Sequence, residues 1–389
     1  MKTLEYQLNS AYAACRYENG RQKVILLYGG QSVEHDVSLQ TALAVLRGLN
    51  KEKYQVCPVY ITKTGIWKPL KKLPQKLENV QQLQIEADSA DTISQSIARF
   101  LDQCLQSVDK PIIFPALHGT NGEDGTLQGL LDLLQLPYIG NGVLSSALSI
   151  DKAMTKEVLA RAYIPQAEHI TIHQAAWLKN ADAMLQELEQ TIGFPCYVKP
   201  AKLGSSVGIR RCAGLPETVE AIKNAFFYDR KLVIEKEVVG REMQVAVLGN
   251  DAPSASLVGE YIKERAFMDY EAKYLDGKLI PVIPARLNKE TEQLMREMAV
   301  RAFKALHAAG LMRVDFFVTE KNDVYLNEVN TLPGFTAHSL FPALWEKTDG
   351  TTYPELLERL IGLALERHEQ QQKIQYTRCT YDSSIHSAN

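Results

Sequence analysis

Cysteine is sparse and unpatterned in this chain. The six thiols (Cys15, Cys57, Cys104, Cys196, Cys212 and Cys379) show no CxxC spacing. That excludes a zinc ribbon or a disulfide framework and leaves scattered reduced thiols, the usage of a cytoplasmic protein. Long apolar runs are missing too. None approaches the ~18 residues of a membrane span, and Met1 to Gln22 is polar, without the apolar core of a signal peptide. Neither sign of charge dominates: Lys and Arg number 43 against 46 Asp and Glu, a net charge of −3. This balance argues against nucleic acid as the main partner, which would favour a basic face. Two phosphate fingerprints are also absent. The turn after the first strand lacks GxGxxG, and the Leu203–Gly208 loop lacks the Gly-Lys-Ser/Thr ending of a Walker A loop. The expectation is a cytoplasmic protein with no membrane span and no nucleic-acid partner.

What is present is an ordinary globular composition, 46% hydrophobic and 23% charged over 389 residues, enough for two or three domains and a sizeable core. Residues 1–22 read as an extension. Strands at Lys23–Tyr28, Val56–Ile61 and Pro111–Leu117 alternate with helical segments from Ser38 to about Leu49 and from Ile93 to Leu105. That alternation predicts a doubly wound parallel-sheet α/β domain over 23–140, with glycine turns at strand ends where such sheets place ligands. Residues 141–236 read as an α+β lobe: helices Ser146–Ala162 and Ala181–Gln190, then strands Cys196–Pro200, Ser206–Arg211 and Leu232–Glu237. Residues 237–366 predict a second α+β lobe with strands Met243–Leu248 and Ala255–Ile262, a helix Lys289–Ala309, and a hairpin. Residues 367–389 read as a tail.

The hairpin is the most informative segment. Val314 to Val318 and Val324 to Leu326 flank the polar gap Thr319–Asp323, and period-two geometry puts Glu328 and Asn330 on one face, with Asp315 able to join them across the pair. Two carboxylates and an amide oxygen suit Mg²⁺ shared with phosphates; a solvated strand pair is the plain alternative. Lys199 closes a buried strand and requires an anionic partner, which a nucleotide phosphate would supply. The Gly204-Ser205-Ser206 turn offers amides and hydroxyls to an anion, or is simply a tight turn. Strand Val233–Val238, with Glu242 beyond it, offers backbone groups to an adenine edge and a carboxylate to a ribose, or is a strand with exposed charges. Glu34, near the first strand end, suits a substrate ammonium or serves as a helix-start acid.

Read in order, GGQSVEHDVS (29–38), LHGTNGEDGTLQGLLDLLQLPYIGNGVLSSALSIDK (117–152), YVKPAKLGSSVGI (197–209), VIEKEV (233–238), DYEAKY (269–274), MRVDFF (312–317) and NEVNTLPGFTAHSLFP (327–342) closely resemble the D-alanine–D-alanine ligases of the ATP-grasp superfamily, from about Val24 to about Leu365. The resemblance implies three domains with ATP enclosed between the central and C-terminal lobes, and two D-alanines joined through a D-alanyl phosphate. ATP would be held by Lys152, Lys199, Glu235, Lys236, Val238, Glu242, Phe267, Lys273 and Asn330. Two Mg²⁺ ions, replaceable by Mn²⁺, would sit on Asp315, Glu328 and Asn330. Glu34 would bind the first D-alanine's ammonium, Arg313 and the Gly334 amide its carboxyl, and Ser205 and Tyr274 with Glu34 would fasten a lid. His118, Ser339 and Leu340 would shape the second pocket. A homodimer is implied. Histidine in the Tyr274 loop would favour a lactate-using relative, so the tyrosine points to an amine nucleophile.

Overall fold

A computed structural model describes residues 20–70, 77–85, 92–105, 110–262, 280–336 and 339–376. The first part comprises β1 (Gln22–Gly29), α1 (His35–Gly48), β2 (Tyr54–Ile61), β3 (Trp67–Pro69), α2 (Ile93–Leu105), β4 (Ile112–Ala116) and α3 (Thr126–Leu133). The sheet runs β3-β2-β1-β4, with β1 parallel to both β2 and β4 and β3 an antiparallel edge. Val24 to Tyr28 are wholly buried because both faces are covered. Val24, Leu26 and Tyr28 pack on Leu39 and Leu46 of α1. Ile25 and Leu27 pack on Phe100 of α2 and Leu127 and Leu131 of α3. A strand buried on both sides reads as one apolar run, which is why it was legible.

The second part holds α4 (Val143–Ile150), α5 (Lys152–Arg161), β5 (His169–His173), α6 (Gln174–Lys179), α7 (Ala181–Thr191), β6 (Cys196–Pro200), β7 (Arg210–Cys212), α8 (Leu215–Ala225) and β8 (Lys231–Lys236). The helix expected over Ser146–Ala162 is two helices. Asp151 leaves helical backbone between them, and its side chain accepts from the Met154 amide, capping α5. An antiparallel sheet runs β5-β8-β6-β7. Cys196, Val198, Leu232 and Ile234 face a core shared with α7 and α8, so alternation turns Lys199 and Glu235 to the opposite face. The strand expected over Ser206–Arg211 starts only at Arg210. Ser205 and Ser206 have φ of 51° and 59°, left-handed values foreign to a strand.

The third part is β9 (Arg241–Gly249), β10 (Ser254–Ile262), β11 (Ile280–Val282), α9 (Lys289–Ala305), β12 (Gly310–Val318), β13 (Val324–Asn330), α10 (Leu340–Asp349) and α11 (Tyr353–Gln372). The antiparallel order is β11-β10-β9-β12-β13. Helix α9 stops at Ala305, short of the expected Ala309, as the chain turns through His307 at φ 51°. One sheet face (Met243, Val245, Met312, Val314, Phe316) packs with Met298 and Phe303 of α9. The other changes character along its length. At one end Ala246, Leu248 and Leu311 join a core with Leu344, Leu357 and the N-terminal sheet. At the other end it carries Gln244, Arg313, Asp315, Glu328 and Asn330. Helix α11 runs on to Gln372, past the expected boundary at 366, and Arg367 accounts for the extension. Its guanidinium donates to the Gly140 carbonyl and, at 3.0 Å, to that of Tyr138, and lies 4.3 Å from the Tyr138 ring centroid. No helix among the described residues is long and apolar enough to cross a membrane.

Candidate active site

Strand register builds the first element of the site. Asp315 pairs directly with Glu328, and Arg313 with Asn330, so all four side chains stand on one face of the hairpin. The register slips between Asp315 and Phe316, making Asn327 the extra residue of a β-bulge. Val324 and Leu326 face the core before the bulge and Val329 after it; the bulge reconciles those parities. Asp315 is buried and accepts a two-pronged ion pair from Arg313, Nε and Nη2 each at 2.7 Å, and a bond from Asn330 Nδ2 at 3.3 Å. The guanidinium expected on a substrate carboxyl thus lies on Asp315.

Facing the hairpin is a lysine cluster on α5 and β6. Lys199 Nζ donates to Glu235 Oε2 at 2.7 Å and to Asn327 Oδ1 at 3.3 Å, so the bulge residue ties the two antiparallel sheets. Lys156 Nζ lies 3.3 Å from the other oxygen of Glu235. Burial opposes charge on Glu235, yet the two ammonium groups outweigh it and hold the carboxyl at about 2. Lys199 is likewise disfavoured by burial but raised overall by Glu235, with Glu328 adding to the effect. Burial lowers Lys152 and Lys156. Lys152 Nζ donates to the Leu203 carbonyl at 2.5 Å, holding the start of the serine loop. The protein partner of Lys199 is therefore Glu235, a residue expected to meet the nucleotide. Three ammonium groups against this one carboxylate leave positive charge facing Glu328, the electrostatics a polyphosphate requires.

The third element is the turn after β4. Glu34, at the start of α1, is buried and accepts a short hydrogen bond from Ser205 Oγ, joining the serine loop to the N-terminal domain. The backbone approaches the carboxylate closely on both sides: a Cβ at Gly119 or at Gly204 would stand 2.7 Å from Glu34 Oε2, which would have to shift. His118 Nε2 and Thr41 Oγ1 are hydrogen-bonded at 2.8 Å. Burial pushes the imidazole down to about 4, with Arg313 adding to the shift and a backbone hydrogen bond to Leu332 opposing it. His118 is thus a neutral ring at the edge of the Arg313 site.

The remaining expected residues are spread more widely. Lys236 pairs with Glu168 at 2.8 Å on the exposed end of β8, Val238 is half-buried just after it, and Glu242 is exposed on β9 opposite Phe317. Ser339 stands at the N-cap position of α10, and its Oγ accepts from the Thr336 amide at 2.9 Å instead of capping the helix; that Oγ would lie 3.0 Å from a Cβ on Gly334. Leu340 opens α10 with its side chain buried in the core beneath the sheet. Phe267, Lys273 and Tyr274 lie outside the described residues.

Sequence reasoning missed Lys156, Asn327 and Glu123. Lys156 stands at i+4 from Lys152 and so on the same side of α5, a signal that was available. Asn327 needed the bulge. Glu123, within the Gly-Glu-Asp-Gly turn, accepts from Gly119 N at 2.8 Å, from Leu332 N at 3.0 Å and from Thr331 Oγ1 at 3.3 Å. Burial and then the Glu34 charge push its carboxyl up to about 7 against these bonds.

The chain is similar to known proteins over most of its length. Residues 23–141 match the family described as D-ala D-ala ligase N-terminus, and residues 158–362 that described as D-ala D-ala ligase C-terminus. The chain is 48% identical over 360 residues to the D-alanine–D-alanine ligase of Bacillus cytotoxicus, covering 91% of this chain and 99% of that one. It is 49% identical over 354 residues to the corresponding ligase of Bacillus pumilus, covering 90% and 98%. Among solved structures it resembles the D-alanine-D-alanine ligase of Coxiella burnetii, with a TM-score of 0.74 and 33% identity over 91% of this chain and 96% of that one. It also resembles the VanG D-Ala:D-Ser ligase of Enterococcus faecalis, with a TM-score of 0.73 and 32% identity over 88% and 99%. The parallel N-terminal sheet and the two antiparallel sheets are the mixed α/β architecture expected of this fold. The chain belongs to the D-alanine–D-alanine ligase family.

Proposed function

We propose that the protein joins two D-alanines to D-alanyl-D-alanine, a peptidoglycan precursor, with ATP converted to ADP and phosphate. The observation that carries this reading is the facing of two surfaces. The Asp315/Glu328 row lies on one lobe and the Lys152/Lys156/Lys199 cluster on the other, with Lys199 bonded to Asn327 across the gap. The first D-alanine's carboxylate oxygen attacks the γ-phosphorus, forming a C–O–P linkage as the bond to ADP breaks. Lys199 and Lys152 offset the charge of the transferring group, and catalysis of such a transfer is chiefly positioning and electrostatics. Glu34 receives the ammonium, and Arg313 with the Gly334 amide steadies the acyl oxygen. The second D-alanine's amine then attacks the acyl carbon, phosphate leaves, and the amine's proton passes to phosphate or water. Acyl phosphates hydrolyse, so the Ser205–Glu34 bond across the serine loop serves to exclude water.

The hairpin fits Mg²⁺. Among the described residues no cluster of three or more His, Cys, Asp or Glu forms a metal cage. Mg²⁺, however, binds through one or two carboxylates plus substrate phosphates, and Asp315, Glu328 and Asn330 supply that set. Bound there, it would neutralise phosphate charge and polarise the γ-phosphoryl group. Phe267 and Lys273 complete the ATP site in this reading, Tyr274 the lid, and Ser339 the second pocket. Two copies form a homodimer, which sedimentation would check.

D-Serine is the competing second substrate, given the likeness to a D-Ala:D-Ser ligase at 32% identity, but identity to the D-alanine–D-alanine ligases of Bacillus cytotoxicus and Bacillus pumilus is higher, 48% and 49%. The experiment is ADP formation with D-alanine alone and with added D-serine or D-lactate, followed by product masses. D-alanine alone should suffice and D-alanyl-D-alanine should dominate at neutral pH. A depsipeptide or a mixed D-alanyl-D-serine product in excess would overturn the assignment.

A further inference from the structure

Glu123 touches both halves of the amino-acid site without belonging to either. Its Oε2 accepts from Gly119 N at 2.8 Å, in the N-terminal domain. Its Oε1 accepts from Leu332 N at 3.0 Å and Thr331 Oγ1 at 3.3 Å, in the segment that continues β13 toward Gly334. Glu34 lies against Gly119 from the other side, where a Cβ would stand 2.7 Å from its Oε2. His118, one residue before, lies beside the Leu332 backbone. One carboxylate therefore fixes the distance between two surfaces that come from different lobes. The first carries Glu34, which receives an ammonium; the second carries Arg313 and Gly334, which receive a carboxyl. An α-amino acid places those two groups on a single carbon, so this separation is set tightly by the substrate. Misplacement by about 1 Å costs about 10²-fold in rate.

We propose that Glu123 is a positioning residue that docks the Thr331–Gly334 segment on the Gly119 turn and so sets the spacing of the first D-alanine's ammonium and carboxyl subsites. The proposal rests on the ligase reading. It distinguishes Glu123 from a plain interdomain tie, because the phosphate-facing lysines lie on a different pair of elements. Loss of Glu123 therefore acts on the amino acid and not on the nucleotide.

The test uses the full-length protein with ATP, Mg²⁺ and D-alanine. Glu123→Gln keeps the size of the side chain but presents an NH₂ group to one of the two amides. It should lower kcat/KM for D-alanine by about ten- to a hundredfold, while KM for ATP stays within about twofold. Thr331→Val removes one hydrogen bond alone and decides the matter if Glu123→Gln does not fold. Its expected loss is several-fold in the same D-alanine parameter, again with KM for ATP held. Unchanged D-alanine kinetics in the variant that folds, or parallel losses for ATP and D-alanine, would overturn the proposal. If the unmodified protein released no phosphate on adding D-alanine, the ligase reading itself would fail, a result separate from either outcome.

Discussion

Glu235 is the residue on which the lysine cluster depends. It accepts from Lys199 and faces Lys156 in a site closed to solvent. Breaking a buried pair by removing one partner leaves an uncompensated charge and costs about 3–5 kcal/mol. Glu235→Gln should lower stability by that order in denaturant unfolding and weaken ATP binding as Lys199 loses its anchor. The pH dependence follows from the sign of the shift. Its folded value of about 2 lies below the ordinary 4.5, so the contribution is present above about 4.5 and is lost as pH falls toward 2. Acid unfolding of the Gln variant should lack that component. From sequence alone Lys199 was recognisable as a buried cation awaiting an anion. That the protein itself supplies one could not be read, because Glu235 lies 36 residues away and only the β6–β8 pairing brings them together.

At the scale of the element, the β12–β13 hairpin shows what periodicity reveals and what it hides. Alternation correctly placed Glu328 and Asn330 on one face, which Asp315 joins from across the pair. The bulge at Asn327 was hidden, since an inserted residue leaves only a change of parity between Leu326 and Val329. The serine loop is the reverse case: Val207 and Ile209 suggested a strand, but positive φ at Ser205 and Ser206 made the segment a loop over Glu34. Such strain gathers where a structure over-determines it, commonly at ligand sites. The hairpin prediction is specific. Glu328→Gln should cut turnover by roughly 10²-fold and weaken Mn²⁺ binding in the presence of a non-hydrolysable ATP analogue. Melting temperature and far-UV dichroism should be unchanged, because Glu328 lies outside the core clusters. Near-normal turnover with normal Mn²⁺ binding would remove it from the metal platform.

Across the whole molecule, the lobes are held by a few buried polar ties that no local pattern announces. Asn141 uses both donors and its acceptor: it donates to the carbonyls of Leu311 at 2.7 Å and Thr331 at 3.0 Å, and accepts from Ser145 Oγ at 3.1 Å and Ala309 N at 3.0 Å. Asn141→Ala would orphan several buried groups at about 1–3 kcal/mol each before relaxation. Chemical denaturation should register a loss of about 2–4 kcal/mol. The three sheets were legible because each has its own apolar pattern. The joints were not, because Asn141, Arg367 and Glu123 meet partners from distant segments. These ties hold the Asp315/Glu328 row, the lysines and the Glu34 turn together, the arrangement on which the proposed phosphorylation of a carboxylate and acylation of an amine rest. The most direct test is the fate of oxygen. With D-alanine labelled by ¹⁸O in its carboxylate, turnover with ATP should release phosphate carrying one ¹⁸O per dipeptide formed, read by mass spectrometry. Dipeptide formed with unlabelled phosphate would contradict the D-alanyl phosphate route.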